Sequence, residues 1–323
     1  MQYLKKIALI FTLILAGCQG VPLHSEANLV KPVQEAESHL NQKPFEYIHQ
    51  QQKRPVVALV LGSGGARGYA HIGVIQVLEE YGIKPDFIVG TSAGSIVGSI
   101  YASGKSPEEL RQIALDMKVG DVRDIKIGMK GFFDGTKVEN YINQQVEQTP
   151  LQNLRIPMYV VATELKEGKK VVFNQGNTGQ AVRASVSIPS MFIPTTIEGK
   201  EYVDGGLVSP VPVDVARDLG ADIIIAVDIL AQPIYTQTSN IWGLFNQNIN
   251  IMQNKLASEE LKNADIIIQP DLREKAHIFD TKERQETMQA GVDAAMKQVN
   301  MIQMVFNEKD PNNRILKNFQ VQN

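Results

Sequence analysis

A serine between two glycines marks the part of the sequence that is suited to chemistry. The stretch DFIVGTSAGSIVGSIY, residues 86–101, places Ser92 in a GxSxG pattern with Gly90 and Gly94. An apolar run typical of a strand precedes the pattern, and a run with helical periodicity follows it. Glycines at these positions let the backbone turn sharply without Cβ clashes, which leaves the serine hydroxyl exposed. The pattern therefore predicts a nucleophile between a strand and a helix.

A GxSxG pattern also arises by chance, so a nucleophile needs the support of an oxyanion site and a base. The segment GSGGARG, residues 62–68, lies between another predicted strand and helix. Its glycines free backbone N–H groups at a helix N-terminus, where they can bind negative charge. Arg67 could add a cation there or form a structural salt bridge. The spacing GxGxxxG, with no acidic residue ending a second strand, argues against a dinucleotide site.

The histidines do not supply an obvious base. Three of the five lie in the first 54 residues, His71 falls in the helix after the glycine segment, and His277 has no strand-end context. The alternative is Asp204 in the segment EYVDGGLVSPVP, where a short strand ends and Gly205 and Gly206 allow a tight turn. Such a turn would project the carboxylate into a cleft. An Asp-Gly turn is common, so this segment alone is weak evidence for a base. The evidence becomes stronger because the two other segments are present.

These three segments fit into a regular α/β framework. Residues Val56–Leu61 form a continuous apolar run, which predicts a strand buried on both faces as in parallel sheets. The glycine segment, an amphipathic helix and the strand DFIVG follow, and this order predicts a βαβ unit. Further strands are predicted at 158–163, 171–174, 223–228 and 266–269, and helices near 178–187, 212–219 and 281–306.

The composition is that of a globular protein. The chain of 323 residues is 43% hydrophobic and 21% charged, which suits one large α/β domain or two small ones. Its formal net charge of −3 gives no reason to expect nucleic-acid binding. Neither an HExxH motif nor a paired-histidine spacing is present, so the sequence implies no metal and no cofactor.

The first residues have the character of an export signal. Residues 1–17 combine two lysines with an apolar run that is too short to span a bilayer as a helix. The tetrad LAGC resembles the bacterial lipobox, which predicts a diacylglycerol anchor on Cys18, the only cysteine. A periplasmic protein with an incidental cysteine is the alternative. Gln19 favours the outer membrane, so the expected location is the bacterial cell envelope, lipid-anchored and facing the periplasm.

The rest of the chain is predicted to form three parts. Residues 18–54 lack sustained apolar periodicity and are rich in polar residues, which predicts a flexible tether. Residues 55–270 are predicted to form the catalytic α/β domain. Residues 271–323 are predicted to form a helical segment packed on that domain through an apolar stripe.

The three chemical segments, in this order and spacing, resemble those of patatin-like phospholipases, particularly bacterial members and the catalytic domain of neuropathy target esterase. The intervening AVRASVSIPSMFIP and the following ADIIIAVD add to the resemblance, which covers roughly residues 55–270. It implies a three-layer α/β/α sandwich with a mainly parallel central sheet. It also implies a serine–aspartate dyad without histidine, with Ser92 as the nucleophile and Asp204 as the base.

The same resemblance implies an oxyanion loop of Gly64, Gly65 and Arg67. This chain departs from the family at Ser63, where a glycine is usual, so the geometry of the loop stays open. The implied reaction is hydrolysis of carboxylic esters of phospholipids or lysophospholipids, without a metal or cofactor. Two alternatives remain: an acyltransferase that uses the same acyl-enzyme, and a non-catalytic envelope lipoprotein that only binds lipid.

Overall fold

The computed structural model describes residues 31–36, 43–128, 130–236, 238–272, 283–312 and 314–315. The predicted signal peptide, Cys18 and His277 lie outside these residues. Contacts within the chain group residues 31–323 into one unit. No helix in the described part is long and apolar enough to cross a membrane.

Short strands of the described residues form one large sheet and one small one. The strands are β1 (Gln34–Glu35), β2 (Val57–Leu61), β3 (Phe87–Thr91), β4 (Ile125–Gly128), β5 (Gly131–Phe133), β6 (Met158–Glu164), β7 (Lys169–Gln175), β8 (Thr195–Ile197), β9 (Lys200–Asp204), β10 (Ile223–Val227) and β11 (Ile266–Ile268). The large sheet has the order β1-β7-β6-β3-β2-β10-β11, and the β8–β9 hairpin joins it on β6. Strands β4 and β5 form the small sheet, and Phe133 of β5 also makes an isolated bridge with Phe192.

The centre of the large sheet is parallel. Neighbouring strands from β6 through β3, β2 and β10 to β11 all run in the same direction. Strands β7 and β9 run antiparallel to β6, and β1 runs antiparallel to β7. The mainly parallel sheet predicted from the apolar runs is therefore confirmed.

Helices cover both faces of this sheet. They are α1 (Tyr69–Glu80), α2 (Ala93–Ala102), α3 (Pro107–Asp116), α4 (Val119–Val122), α5 (Thr136–Gln145), α6 (Thr178–Val186), α7 (Val213–Asp218), α8 (Ile241–Glu260) and α9 (Arg284–Lys309). Leu59 of β2 packs in the core on the α1 side, and the next residue, Val60, packs in the core on the α7 side. Successive strand residues point to opposite faces, so a strand between two helical layers must be apolar throughout. The three-layer architecture is confirmed.

The described part of the segment before β2 packs onto the sheet. Strand β1 pairs with β7, and Phe45 stacks on Phe87 with 4.3 Å between the ring centroids. Ile48 is also buried in the core. The flexible tether predicted for residues 18–54 is therefore wrong over residues 31–36 and 43–54. Their few apolar side chains are too widely spaced to show a periodicity, yet they cover a sheet edge and one face of the core.

Helix α9 lies against α1 at a distance that only glycine allows. A Cβ on Gly73 of α1 would lie 2.0 Å from the carbonyl oxygen of Met288. A Cβ on Gly291 of α9 would lie 2.0 Å from the carbonyl oxygen of Ala70. The backbones of the two helices are therefore in direct contact, and α9 is part of the core on this side of the sheet.

Candidate active site

Ser92 occupies the turn between β3 and α2 in a conformation that is rare for a residue with a side chain. Its φ of 52° and ψ of −118° lie outside the regions that L-residues favour. The Ser92 N–H donates to the Oγ of Ser185 at 2.8 Å, and the Ser185 hydroxyl donates to the carbonyl oxygen of Val161 at 2.6 Å. Ser185 thereby fastens the strained turn to β6.

The two glycines of the GxSxG pattern do not make the turn. They leave room for neighbouring backbone that a Cβ would block. A Cβ on Gly94 would lie 1.9 Å from the carbonyl oxygen of Leu61, and one on Gly90 would lie 2.7 Å from the carbonyl oxygen of Gly94. The sharp turn that the sequence assigns to these glycines is made by Ser92. The glycines let β2, β3 and the first turn of α2 approach one another closely.

The pairing of β9 on β6 brings Asp204 to Ser92. Thr91, the last residue of β3, lies opposite Val161 of β6. Asp204, the last residue of β9, lies opposite the next residue, Ala162. Because β9 pairs with β6 where β3 ends, the Ser92 hydroxyl donates to Asp204 Oδ2 at 2.6 Å.

The environment of Asp204 makes its carboxylate a stronger base than an exposed aspartate. The residue is 4% exposed, and burial raises its pKa to about 6. The hydrogen bonds that it accepts from the Ser92 hydroxyl and from Gly206 N–H, the latter at 2.7 Å, favour the charged form and limit the rise. The carboxylate is therefore ionised at neutral pH and already accepts the serine proton in a hydrogen bond.

The glycine segment presents backbone N–H groups beside the serine. Ser63 N–H donates to the carbonyl oxygen of Pro210 at 2.8 Å. The N–H groups of Gly64, Gly65 and Ala66 have no acceptor among the residues that the structure describes. Gly65 and Ala66 line the same pocket as Ser92. These free donors can bind the oxygen of a tetrahedral intermediate.

Arg67 is directed at the protein backbone instead. Its Nε donates to the carbonyl oxygen of Ile229 at 2.8 Å. Burial lowers the pKa of Arg67 to about 10, so the guanidinium stays charged at neutral pH. No carboxylate of the described residues lies within ion-pair distance of it, since Asp228 acts on it only at longer range. The structural salt bridge considered for Arg67 is therefore not formed among the described residues. Its side chain also lies outside the pocket lining, on the carbonyl oxygen of Ile229.

An apolar pocket of about 170 Å³ opens beside Ser92. Tyr69, Tyr141 and Ser92 supply the polar side chains of its wall, and the other lining side chains are apolar. The lining residues are Gly65, Ala66, Gly68, Tyr69, Ser92, Ala93, Ile96, Val97, Met117, Val119, Val122, Val138, Tyr141, Ile142, Val186, Ile188 and Phe192. A hydrocarbon chain is the kind of ligand that such a wall accommodates.

His71 is buried away from the serine hydroxyl. Its Nε2 donates to the carbonyl oxygen of Gly62 at 2.9 Å, which supports the start of the glycine segment. Burial lowers the pKa of His71 to about 4, so the ring is neutral at physiological pH. Asp204, and not this histidine, contacts Ser92 Oγ.

The profile of the family described as patatin-like phospholipase matches residues 59–217, which include Ser92, Asp204 and the glycine segment. Residues 59–217 of this chain belong to the patatin-like phospholipase family. An uncharacterised NTE family protein of Mycobacterium tuberculosis is 38% identical over 177 residues, which are 54% of this chain and 49% of that protein. Human patatin-like phospholipase domain-containing protein 6 is 31% identical over 214 residues, 62% of this chain and 16% of that protein.

The shared part therefore spans about half the length of the mycobacterial relative and 16% of the human one. Among solved structures, VipD from Legionella pneumophila aligns with a TM-score of 0.46 and 15% identity. That alignment covers 79% of this chain and 67% of the VipD chain.

Two contributors to this patatin-like site are absent from the sequence predictions. Ser185 lies in the segment AVRASVSIPSMFIP, but nothing in its spacing indicates a bond to Ser92. Thr91 carries a hydroxyl that donates to the carbonyl oxygen of Ser209 at 2.9 Å. Both bonds join residues about a hundred positions apart, so local patterns contain no signal for them.

Proposed function

We propose that this protein is a serine lipid acyl hydrolase that uses Ser92 as the nucleophile and Asp204 as the base. The observation that carries the proposal is the 2.6 Å hydrogen bond from Ser92 Oγ to a buried, ionised Asp204. Free N–H groups of the glycine segment and the apolar pocket beside the serine support it.

Acylation begins when Ser92 Oγ attacks the ester carbonyl carbon and its proton passes to Asp204 Oδ2. The N–H groups of Gly64, Gly65 and Ala66 stabilise the negative oxygen of the tetrahedral intermediate. When the intermediate collapses, the bond to the leaving alcohol breaks, and that alcohol takes the proton from Asp204. The acyl group remains on Ser92 as an ester.

Deacylation repeats the sequence with water. Asp204, ionised again, removes a proton from a water molecule that attacks the acyl-enzyme carbonyl carbon. Collapse of the second intermediate releases the fatty acid, and the proton on Asp204 returns to Ser92 Oγ. If an alcohol replaced the water, the product would be a new ester, and the protein would act as an acyltransferase.

The substrates we propose are phospholipids or lysophospholipids. The apolar pocket beside Ser92 suits an acyl chain, and the family to which residues 59–217 belong is named for phospholipase activity. A lipid anchor at Cys18, in the envelope of a bacterium, would hold the enzyme at a membrane that contains such lipids. Analysis of products with and without an acceptor alcohol distinguishes hydrolysis from acyl transfer.

Four variants test the proposed dyad. With a p-nitrophenyl acyl ester, Ser92→Ala should abolish hydrolysis, and Asp204→Asn should lower the rate by about 100-fold to 10,000-fold because the amide cannot accept the proton. His71→Gln and His277→Ala are the controls and should keep most of the activity. A thermal melt of each variant checks folding, and a fluorophosphonate probe should label wild type at Ser92. If Asp204→Asn were fully active and a folded His277→Ala were inactive, the dyad would be wrong and a histidine-based site would be indicated.

A further inference from the structure

The carboxylate of Glu260, the last residue of α8, binds a loop that the mechanism above does not use. Its Oε1 accepts a hydrogen bond from the Ser209 hydroxyl, and its Oε2 accepts one from Val211 N–H at 2.9 Å. Ser209 and Val211 are fully buried. Two bonds to one charged group fix the backbone of residues 209–211 more firmly than neutral contacts would.

This loop carries the acceptors for the residues that precede the nucleophile and the oxyanion donors. The Ser209 carbonyl oxygen accepts the hydrogen bond of Thr91 Oγ, at 2.9 Å, and Thr91 is the residue before the nucleophile. The Pro210 carbonyl oxygen accepts Ser63 N–H at 2.8 Å, and Ser63 is the residue before the first free N–H of the glycine segment. Both catalytic segments are therefore bonded to the same short stretch of backbone.

The loop is also continuous with the turn that holds the base. The N–H groups of Val208 and Ser209 donate to the carbonyl oxygen of Gly205 at 3.1 and 2.9 Å. Gly205 directly follows Asp204. The nucleophile, the oxyanion donors and the base thus meet at residues 209–211, and Glu260 is the side chain that anchors that loop from α8.

We propose that Glu260 is a positioning residue of the reaction, which aligns the nucleophile and the oxyanion donors by holding the 209–211 loop. The inference rests on the proposed hydrolase function. It gives Glu260 no contact with the substrate: the residue acts through Ser209 and Val211. An error of about 1 Å in the placement of reacting groups can cost about 100-fold in rate.

Charge on Glu260 matters to this role. Burial raises its pKa to about 7, and the hydrogen bonds from Ser209 and Val211 oppose the rise. The charged groups that face it are Asp214 of α7, which favours the protonated form, and Lys170 of β7, which favours the ionised form. Those two side chains form an ion pair with each other. A protonated carboxyl is a weaker acceptor, so the loop should loosen as the pH falls through 7.

The experiment compares Glu260→Ala and Glu260→Gln with Glu259→Ala, a neighbour on the exposed face of α8 whose side chain is 56% exposed. The measurements are kcat and KM for a p-nitrophenyl ester, the rate of fluorophosphonate labelling and the Tm. Glu260→Ala should lower kcat and the labelling rate by about 10-fold to 100-fold, with KM changed by less than about 2-fold. Glu259→Ala should match wild type.

Glu260→Gln provides the second readout. Its amide oxygen can accept Val211 N–H and its NH₂ can donate to Ser209, without titration. It should therefore keep kcat at pH 8 and lose the part of the fall in kcat at lower pH that follows protonation of Glu260, while the part that follows protonation of Asp204 remains.

Two results would overturn the inference. One is a Glu260→Ala variant that folds and has the kcat of wild type. If its Tm were lower, Glu260 would have a structural role only. The other is a pH profile of kcat for Glu260→Gln that equals that of wild type, which overturns the inference even if Glu260→Ala fails to fold. Either result leaves the proposed function intact as long as wild type hydrolyses the ester and Ser92→Ala does not.

Discussion

Ser92, the proposed nucleophile, is held in a backbone conformation that a residue with a side chain does not favour. A positive φ on a residue with a Cβ costs about 1–3 kcal/mol, and surrounding contacts must hold it there. Here the Ser185 hydroxyl binds Ser92 N–H, and Gly94 lets α2 approach the end of β2. In this conformation the Ser92 hydroxyl lies beside Asp204, just after the end of β3.

The charge on Asp204 lowers the stability of the fold at neutral pH. The folded-state pKa of about 6 lies above the ordinary value of 3.8, so the folded chain holds its proton more tightly than the unfolded chain. Below about pH 4 the carboxyl is protonated in both states, and ionisation does not lower the free energy of unfolding. As the pH rises through 6 the free energy of unfolding falls, by about 3 kcal/mol in total.

Replacement of Asp204 by asparagine should therefore stabilise the protein while it removes activity. The amide keeps nearly the same shape and carries no buried charge. Asp204→Asn should unfold at higher denaturant concentration than wild type at pH 8, by up to about 3 kcal/mol, and the difference should vanish below pH 4. Unfolding curves at three pH values measure this. A variant that is less stable than wild type at pH 8 would mean that the charge is stabilised in the folded state.

At the scale of elements, the contact between α1 and α9 extends the core beyond the residues that the family profile matches. That profile ends at residue 217, whereas α9 spans Arg284–Lys309. Helix α1 follows the glycine segment, so packing of α9 on α1 also supports the proposed oxyanion donors of that segment.

Two glycines carry this contact, and alanine at either should be destabilising. A Cβ on Gly73 or on Gly291 would lie 2.0 Å from a carbonyl oxygen of the facing helix, so the helices must separate. We expect Gly73→Ala and Gly291→Ala each to cost about 1–3 kcal/mol. Gly120→Ala in α4 is the control, because no atom lies within 4 Å of its added Cβ. Denaturant unfolding measures all three, and an unchanged Gly73→Ala would refute the close contact.

At the scale of the whole molecule, the unit of residues 31–323 holds every group that the proposed reaction uses. Strand β1 covers the edge of β7, where unpaired backbone groups would otherwise invite pairing with another chain. Glu35 of β1 also accepts a hydrogen bond from the Tyr202 hydroxyl at 2.7 Å, which joins this edge to β9 and hence to Asp204.

The lipid anchor expected at Cys18 should be separable from catalysis. Cys18→Ala should abolish the incorporation of radioactive palmitate in a bacterial host, because no other cysteine can carry the lipid. Its rate with a water-soluble ester should equal that of wild type, since the site lies within residues 31–323. Palmitate incorporation by Cys18→Ala would show that the lipobox assignment is wrong. Loss of soluble-ester hydrolysis would show that residues near Cys18 belong to the site.

Local patterns in the sequence were enough to predict several features of this protein. Continuous apolar runs such as Val57–Leu61 indicate strands buried on both faces, and a helix between two such strands indicates a parallel sheet. The place of Ser92 between β3 and α2, and that of Asp204 at the end of a strand, are also local. Ser92 and Asp204 were predicted to act together because of the resemblance to a family. Neither local pattern indicates which distant residue it would contact.

Contacts between residues that are distant in the chain could not be predicted in this way, because they depend on how the strands and helices pack. The bond between Ser92 and Asp204 depends on β9 pairing with β6 where β3 stops, and a register is set by the packing of whole strands. The two-residue strand β1 has no pattern of its own, so its place on β7 follows from the free edge that β7 offers. Glu260 lies near the end of a helix whose sequence resembles many others, and its contact with Ser209 exists because the fold brings α8 to that loop. Contacts of this kind join residues far apart in the chain, and a local pattern holds no information about them.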